Sequence, residues 1–209
     1  MPSRHDAAHG SVASLGAVAR VVVVNFVSLD GVIQSPLSAD EDPDGGFAAG
    51  GWVPPYGDDT MASFMSEATT TAAGMLLGRR SYEIFTTAWS GADQSDPAVA
   101  AMNRMPKYVV TRSPDVPLAW GHSRRLGGPA EVARLKDEVD GDLVVFGSGG
   151  LLGALAEHDL VDEYRLLLVP VILGAGKRMF GGGSPLTPLT LTASTTTSTG
   201  VVLLTYTRP

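Results

Sequence analysis

The sequence contains no cysteine, which excludes disulfides, thiolate nucleophiles and cysteine-ligated metals. Long apolar runs are also missing. The longest strongly apolar run covers residues 21–27 and contains Asn25, whereas a membrane-spanning helix needs roughly 20 apolar residues. Residues 1–19 lack the sustained apolar stretch of a secretory signal and are predicted to form a flexible tail. These absences favour a cytoplasmic protein without a membrane segment.

Basic residues are outnumbered, with 15 Lys and Arg against 22 Asp and Glu and a formal net charge of −7. Nucleic acids and anionic membranes both require a basic surface, so neither is expected as a partner. Histidine is scarce as well. His5 and His9 are spaced to hold a metal on a helix, but the other two histidines are scattered and no carboxylate pattern accompanies them. We predict no metal site.

The 209 residues, 44% of them apolar, are enough for one substantial core, and residues 20–209 are predicted to form a single domain. Helical patterns alternate with the predicted strands "VVVVNFV", "GMLLG", "KYVVTRS", "DLVVFG" and "EYRLLLVPVIL". The Thr/Val-rich end is typical of an antiparallel hairpin joined around residues 198–200. This order predicts an α/β fold with a mainly parallel sheet, helices on both faces and an antiparallel edge.

Three predicted strand-to-helix junctions stand out: "LLGRRSYE", "VVTRS" and "VFGSGGLL". Of these, "GRRS" and "GSGG" could each hold a phosphate. Ligands bind at the carboxyl ends of strands in open α/β sheets, helix N-termini attract anions, and glycine permits close approach. Arg79, Arg80 and Arg112 add positive charge. Two phosphate-competent turns and a further arginine suit a dinucleotide with a third phosphate, which favours NADPH over NADH. The glycine spacing in "GSGGLLG" does not match a Rossmann fingerprint.

The segment "FGSGGLLGALAEHDLVDEYRLLLVPVILGAGKRMF" resembles the C-terminal reductase domain of the riboflavin-biosynthesis deaminase/reductase family, and "NFVSLDGVI" resembles the first strand of that family. "GRRSYE" and "VVTRS" are similar to dihydrofolate reductase, the founding member of the same fold. The resemblance covers about residues 20–208. It implies a dihydrofolate reductase-like three-layer fold, NADPH as cofactor and a homodimer.

The same resemblance implies where NADPH would bind. The phosphates near the adenosine would contact Gly78, Arg79, Arg80 and Ser81. The adenine and its 2′-phosphate would be flanked by Thr111, Arg112 and Ser113. The pyrophosphate would lie against Gly147, Ser148, Gly149, Gly150, Leu151 and Leu152. The nicotinamide would be bordered by Phe26, Val27 and Ile33.

The proton donor has three candidates, Asp30, Asp58 and Asp59. In dihydrofolate reductase an acidic residue shortly after a tryptophan bonds the pterin, and "WVPPYGDD" offers Asp58 and Asp59 after Trp52, at a longer spacing. Both aspartates could equally be helix N-caps, and Asp30 could equally be a turn residue. Trp52 and Tyr56 are the predicted substrate contacts.

The predicted function is NADPH-dependent reduction of a pterin- or pyrimidine-like heterocycle. The closest named activity is 5-amino-6-(5-phosphoribosylamino)uracil reductase, and the alternatives are dihydrofolate reductase proper or a non-catalytic NADPH-binding module. The loop at residues 34–59, long enough to be a lid or binding segment, has four acidic residues in its first part and no basic cluster for a substrate phosphate. An uncharged or cationic heterocycle suits this loop better.

Overall fold

A computed structural model describes residues 18–181 and 185–209. Its centre is an eight-stranded sheet in the order β4-β3-β2-β5-β1-β6-β8-β7. The strands are β1 (Arg20–Ser28), β2 (Gly74–Gly78), β3 (Lys107–Val110), β4 (Ser123–Leu126), β5 (Asp142–Phe146), β6 (Glu163–Val169), β7 (Thr190–Thr196) and β8 (Val202–Thr207). In this sheet order, neighbouring strands from β4 across to β6 pair in parallel. Strand β8 is antiparallel to both β6 and β7. The predicted mainly parallel sheet with a C-terminal antiparallel hairpin is confirmed.

Helices cover both faces of this sheet. They are α1 (Asp59–Thr70), α2 (Arg79–Trp89), α3 (Pro97–Arg104), α4 (Pro129–Glu138) and α5 (Gly149–Glu157). Because successive strand residues point to opposite faces, Val22 and Val24 of β1 pack with α1, α2 and α3, while Val21 and Val23 pack with α4 and α5. All four valines are at most 1% exposed, so two apolar layers enclose the sheet.

Strand β4 was not predicted from the sequence, but the structure contains it. Its four residues include Arg124 and Arg125 and so lack the apolar pattern by which a strand is recognised. Pairing with β3 at the sheet edge fixes them in extended conformation. The strand ends at Leu126, and Gly127 and Gly128 then lead into α4. Because β3 is followed by β4, "VVTRS" is not a strand-to-helix junction, and the junction with a helix lies after β4 instead.

The loop at residues 34–59 is irregular, as predicted, apart from two short 3-10 turns at Asp44–Gly46 and Pro54–Tyr56. It is anchored to the core by Trp52, which is 6% exposed and donates from Nε1 to the Gln34 carbonyl at 2.8 Å. Within the described ranges, no helix is long and apolar enough to cross a membrane. His5 and His9 lie outside the described residues.

A candidate active-site cleft

A cleft of about 1800 Å³ lies where the parallel strands end. Its floor is formed by the carboxyl-terminal parts of β1, β2, β3 and β5 and by the turns that follow them. Single-ligand sites usually measure roughly 300–1,000 Å³. The cleft therefore has room for a dinucleotide and a second molecule.

Three helices begin in this cleft without a side-chain cap. They are α2, α4 and α5, whose N-cap residues are Gly78, Gly128 and Ser148. In contrast, α1 and α3 begin at Asp58 and Asp96, whose carboxylates accept hydrogen bonds from the first helical turn. An uncapped N-terminus leaves backbone N–H groups free and carries a partial positive charge. At α4 the first residue, Pro129, has no N–H, and the Glu131 N–H donates to the Gly128 carbonyl at 3.0 Å, so the starts of α2 and α5 are the better anion sites.

The glycine turn between β5 and α5 is held by Asn25 of β1. Gly147 has φ +59° and Ser148 has φ +57°, both in the left-handed region. The Gly147 N–H donates to Asn25 Oδ1 at 2.5 Å, and Asn25 Nδ2 donates to the Gly147 carbonyl at 3.3 Å. Asn25 is 4% exposed. One buried amide therefore fixes the peptide that begins the turn.

Ser148 joins this turn to the start of α2. Its Oγ accepts from the Gly78 N–H at 3.1 Å, and its N–H donates to Ser81 Oγ at 3.1 Å. A Cβ added at Gly149 would lie 3.4 Å from Ile33 Cδ1, whereas one added at Gly150 would meet nothing within 4 Å. The turn is therefore packed beneath Gly149 and open at Gly150. This open backbone next to free N–H groups fits a dinucleotide pyrophosphate.

Most of the cleft cations already have carboxylate partners. Arg79 Nε donates to Glu83 at 2.9 Å, one turn further along α2. Arg80 lies 3.2 Å from Asp44, and Lys177 bridges to the same carboxylate at 3.0 Å. Both cations also contact Asp42, at 3.5 Å and 2.7 Å respectively. These contacts attach the loop at residues 34–59 to the start of α2.

Arg112 is different, because its exposed side chain forms no ion pair or hydrogen bond with any residue the structure describes. It lines the cleft directly after β3, together with Thr111. Ser113 does not line the cleft, but its N–H donates to Thr111 Oγ1 at 3.1 Å. Among the described arginines that line the cleft, Arg112 is therefore the one without a carboxylate partner, and its charge is available to a ligand.

The structure brings most of the predicted cofactor residues together. Those that line the cleft are Phe26, Ile33, Gly78, Arg79, Arg80, Ser81, Thr111, Arg112, Gly147, Ser148, Gly149, Gly150 and Leu151. Val27 and Leu152 do not line it. They are buried in the apolar layer beneath α4 and α5. Their side chains belong to the core.

The predicted proton donors and substrate contacts lie outside the cleft lining. Asp58 caps α1 by accepting from the Met61 N–H at 2.9 Å, and Asp59 is exposed in the first turn of that helix. Trp52 and Tyr56 pack against the core on the same loop. Their catalytic and substrate-binding roles remain predictions.

Asp30 is held in a network of hydrogen-bond donors. Its Oδ1 accepts from the Leu173 N–H at 3.1 Å and from Ser28 Oγ at 2.7 Å, while Oδ2 accepts from the Gly174 N–H at 2.9 Å. These bonds, the one from Leu173 first, lower the pKa of Asp30 to about 2. At neutral pH the group is a carboxylate that accepts hydrogen bonds and has no proton to donate. This weighs against Asp30 as a general acid.

Sequence reasoning missed several cleft residues. Asn25 could have been noticed as the single polar residue in the apolar run at residues 21–27. Gly127 and Gly128 were overlooked because β4 was not recognised. Glu41 was seen only as part of an acidic loop, yet it lines the cleft and its carboxylate accepts from the Leu37 N–H at 3.0 Å. Burial raises the pKa of Glu41. No group of three or more potential metal ligands occurs among the described residues.

Comparisons of sequence extend this picture. The Bacillus subtilis protein YyaP is 36% identical over 76 residues, which are 36% of this chain and 40% of YyaP. The match therefore spans less than half of that relative. YwjB, also from Bacillus subtilis, is 28% identical over 169 residues, which are 77% of this chain and 82% of YwjB.

Three solved structures share the fold. A Shewanella sp. PV-4 protein named after riboflavin biosynthesis has a TM-score of 0.63 and 18% identity, covering 91% of this chain and 99% of its own. Enterococcus faecalis dihydrofolate reductase, complexed with NADP(H) and RAB-propyl, has a TM-score of 0.59 and 14% identity, covering 93% and 99%. A Corynebacterium diphtheriae pyrimidine reductase-like protein has a TM-score of 0.57 and 13% identity, covering 91% and 92%. The fold is dihydrofolate reductase-like, as predicted.

The family assignment comes from the sequence rather than from the fold. Residues 19–203 match the family described as RibD C-terminal domain. This range contains the glycine turn, all five helices and the β1, β2, β3 and β5 strand ends that form the cleft. The chain belongs to the RibD C-terminal domain family.

Proposed function

We propose that this protein is an NADPH-dependent reductase of a pterin- or pyrimidine-like heterocycle. One observation carries the proposal: three helix N-termini without a side-chain cap line the same cleft as Arg112, which has no ion-pair partner among the described residues. The family and the reductases among the structural neighbours support an oxidoreductase. The Enterococcus faecalis enzyme, whose structure was solved with NADP(H), supports the choice of cofactor.

The cofactor phosphates would be divided between the helix starts and Arg112. Gly149 and Gly150 would bind the pyrophosphate, because their N–H groups precede the first hydrogen bond of α5, from Leu152 to Ser148 at 2.9 Å. Arg112 would bind the 2′-phosphate that distinguishes NADPH from NADH. A charge-assisted hydrogen bond of this kind contributes about 1.5–3 kcal/mol.

The chemistry that bound NADPH supplies is a hydride for an electrophilic carbon of a C=N or C=O bond. The protein contributes by positioning the reactants. Phe26 and Ile33 line the cleft at the end of β1 and just after it, and would border the nicotinamide. Holding reactants in a productive geometry supplies much of the acceleration in such reactions.

A proton must reach the nitrogen or oxygen of the reduced bond. We propose Glu41 as the donor, because it lines the cleft and burial raises its pKa, which lets the carboxyl keep its proton at higher pH than an exposed one. Solvent would return the proton after each turnover. Asp30, Asp58 and Asp59 are the competing candidates and can be tested by the same assays.

The direct test is NADPH oxidation, followed by loss of nicotinamide absorbance, with a panel of heterocycles. The panel should contain dihydrofolate, a dihydropterin, an aminouracil riboside and the aminouracil ribosyl phosphate. Turnover with any of them supports a reductase, and turnover with dihydrofolate alone supports dihydrofolate reductase proper. Tight NADPH binding with no turnover across the panel would instead support a non-catalytic module.

A further inference from the structure

One wall of the cleft is built by helices α1, α2 and α3, with Phe26 of β1 beside them. We call this part the helical lobe and define it by Phe26, Met65, Ile84, Phe85, Trp89 and Val99. Four of these side chains, those of Phe26, Met65, Phe85 and Trp89, pack on the core while remaining partly exposed, and Val99 is buried. Phe85 also stacks on Phe146, with ring centroids 6.1 Å apart and planes 18° apart. The lobe is an apolar, largely aromatic surface left open to a ligand.

The described cleft-lining residues around the lobe, those of α1, of the last two turns of α2 and of the segment around α3, include acidic side chains but no Lys or Arg. The charged residues that line the cleft from α1, from the last two turns of α2 and from the segment around α3 are Glu67 and Asp96. The basic residues lining the cleft belong to the start of α2, to the segment after β3 and to residues 177–178. A phosphate in the lobe would therefore face apolar groups and carboxylates, which oppose its burial.

The remaining cleft cations are engaged elsewhere. Arg80 and Lys177 each contact both Asp42 and Asp44, and Arg178 lies 3.6 Å from Asp30. Arg112 has no such partner among the described residues and follows β3. A cofactor with three phosphates would use this arginine and the open helix N-termini. The other cleft cations lie at the start of α2 and at residues 177–178, where each already faces a carboxylate, so a phosphate in the helical lobe would meet no Lys or Arg of the lobe itself.

We propose that the helical lobe selects a substrate without phosphate, a planar heterocycle that is neutral or cationic and packs on Trp89 and Phe85. This inference rests on the proposed function and narrows its substrate class. It sets the chain apart from a reductase that acts on a ribosyl phosphate. Aromatic stacking contributes about 0.5–1.5 kcal/mol beyond the burial of area, so the rings, rather than an ion pair, would supply affinity and orientation.

The test compares ligands that differ only in phosphate. Binding of an aminouracil riboside and its 5′-phosphate, and of 6-hydroxymethylpterin and its diphosphate, is followed by quenching of tryptophan fluorescence, with and without saturating NADPH. The Trp89→Phe variant identifies the signal from the lobe, since the other two tryptophans, Trp52 and Trp120, are buried. We expect the phosphate-free member of at least one pair to bind at least about tenfold more tightly. Equal or tighter binding of the phosphorylated members, or no quenching by any of the four, overturns the proposal.

A variant that adds positive charge to the lobe tests whether the local charge causes the preference against phosphate. Glu67→Lys adds a cation to the lobe at an exposed position and should reduce the preference against phosphate several-fold. Asp137→Lys makes the same charge change on the exposed face of α4, away from the cleft, and should leave the preference unchanged. If both variants alter the preference equally, overall charge rather than the lobe is responsible, and the proposal fails.

Measuring NADPH affinity distinguishes failure of this inference from failure of the proposed function. Affinity for NADPH is measured separately by fluorescence of the reduced nicotinamide. If the protein does not bind NADPH, but the phosphate-free rings still quench Trp89, the proposed function alone is contradicted. Normal NADPH binding and turnover with a preference for the phosphorylated ligand would contradict the further inference alone.

Discussion

Gly147 and Asn25 exchange two hydrogen bonds: the Gly147 N–H donates to Asn25 Oδ1 at 2.5 Å, and Asn25 Nδ2 donates to the Gly147 carbonyl at 3.3 Å. The Asn25 side chain belongs to a strand in which the four preceding residues, Val21 to Val24, are all apolar. It ties the central strand β1 to the turn that begins α5. The proposed pyrophosphate site therefore depends on a residue that belongs to the sheet.

Asn25→Leu should weaken both folding and cofactor binding. Leucine keeps the approximate size of the side chain but leaves the Gly147 N–H and carbonyl without this partner, which costs about 1–3 kcal/mol when such groups are buried. Urea unfolding and NADPH titration measure the two effects. Asn25→Asp retains an acceptor for the Gly147 N–H but places a second acceptor against the Gly147 carbonyl, so it should also weaken the turn. Unchanged NADPH affinity in Asn25→Leu would show that this pair does not position the site.

Asp44→Asn should increase affinity for NADPH by a few-fold. The Asp44 carboxylate contacts both Arg80 and Lys177, so its neutralisation makes these cations more available to phosphate. The pair is exposed, and the expected change is correspondingly small. Isothermal titration at low and high salt checks the prediction. Asp40→Asn removes the same charge from an exposed position in the same loop and is the matched control. Weaker NADPH binding in Asp44→Asn would indicate that the ion pairs help to form the site.

Asp30→Asn should reduce stability at neutral pH and leave turnover largely intact. The pKa of Asp30 is about 2 in the folded protein, below its ordinary value of 3.8. The unfolded chain therefore binds the proton more readily, so this contribution to stability is complete above about pH 4 and is lost as pH falls towards 2. Urea unfolding of both proteins at several pH values should show their stabilities converging in acid. A loss of turnover of about 10²–10⁴-fold would instead support Asp30 as the proton donor.

Glu41→Gln should reduce kcat while NADPH affinity stays unchanged. Because a general acid acts in its protonated form, wild-type kcat/KM should fall as pH rises through the raised pKa of Glu41, and the variant should lose this limb of the pH profile. The pH dependence of kcat/KM is measured with the best substrate of the panel. Asp58→Asn and Asp59→Asn, made in parallel, test the competing carboxylates. A variant that keeps the wild-type profile would exclude Glu41.

The sequence predicted the features that depend on residues close together in the chain. The apolar strand at residues 21–27, the glycine turn at Gly147 and the helix start at Arg79 are all local features, and the structure brings residues from all three to one cleft. Their proximity follows from parallel strand topology, in which strand ends meet at the same edge of the sheet.

Features that depend on tertiary contacts could not be predicted in this way. Strand β4 contains two arginines and is defined by its pairing with β3. The pKa of Asp30 depends on backbone groups of Leu173 and Gly174, more than 140 positions away. The engagement of Arg80 by Asp42 and Asp44 likewise follows from how the loop folds back. In each case the decisive neighbour is distant in sequence, so local reasoning has no access to it.

The central claim is that the cleft binds a dinucleotide carrying a 2′-phosphate. It is tested most directly by equilibrium titration of NADPH and NADH against the wild type, Arg112→Ala and Arg134→Ala. Arg134 is an exposed arginine of α4 outside the cleft and is the matched control. We expect at least about tenfold tighter binding of NADPH by the wild type and the control, and loss of most of that preference in Arg112→Ala. Equal affinities for the two nucleotides in the wild type, or an unchanged preference in Arg112→Ala, would contradict the account.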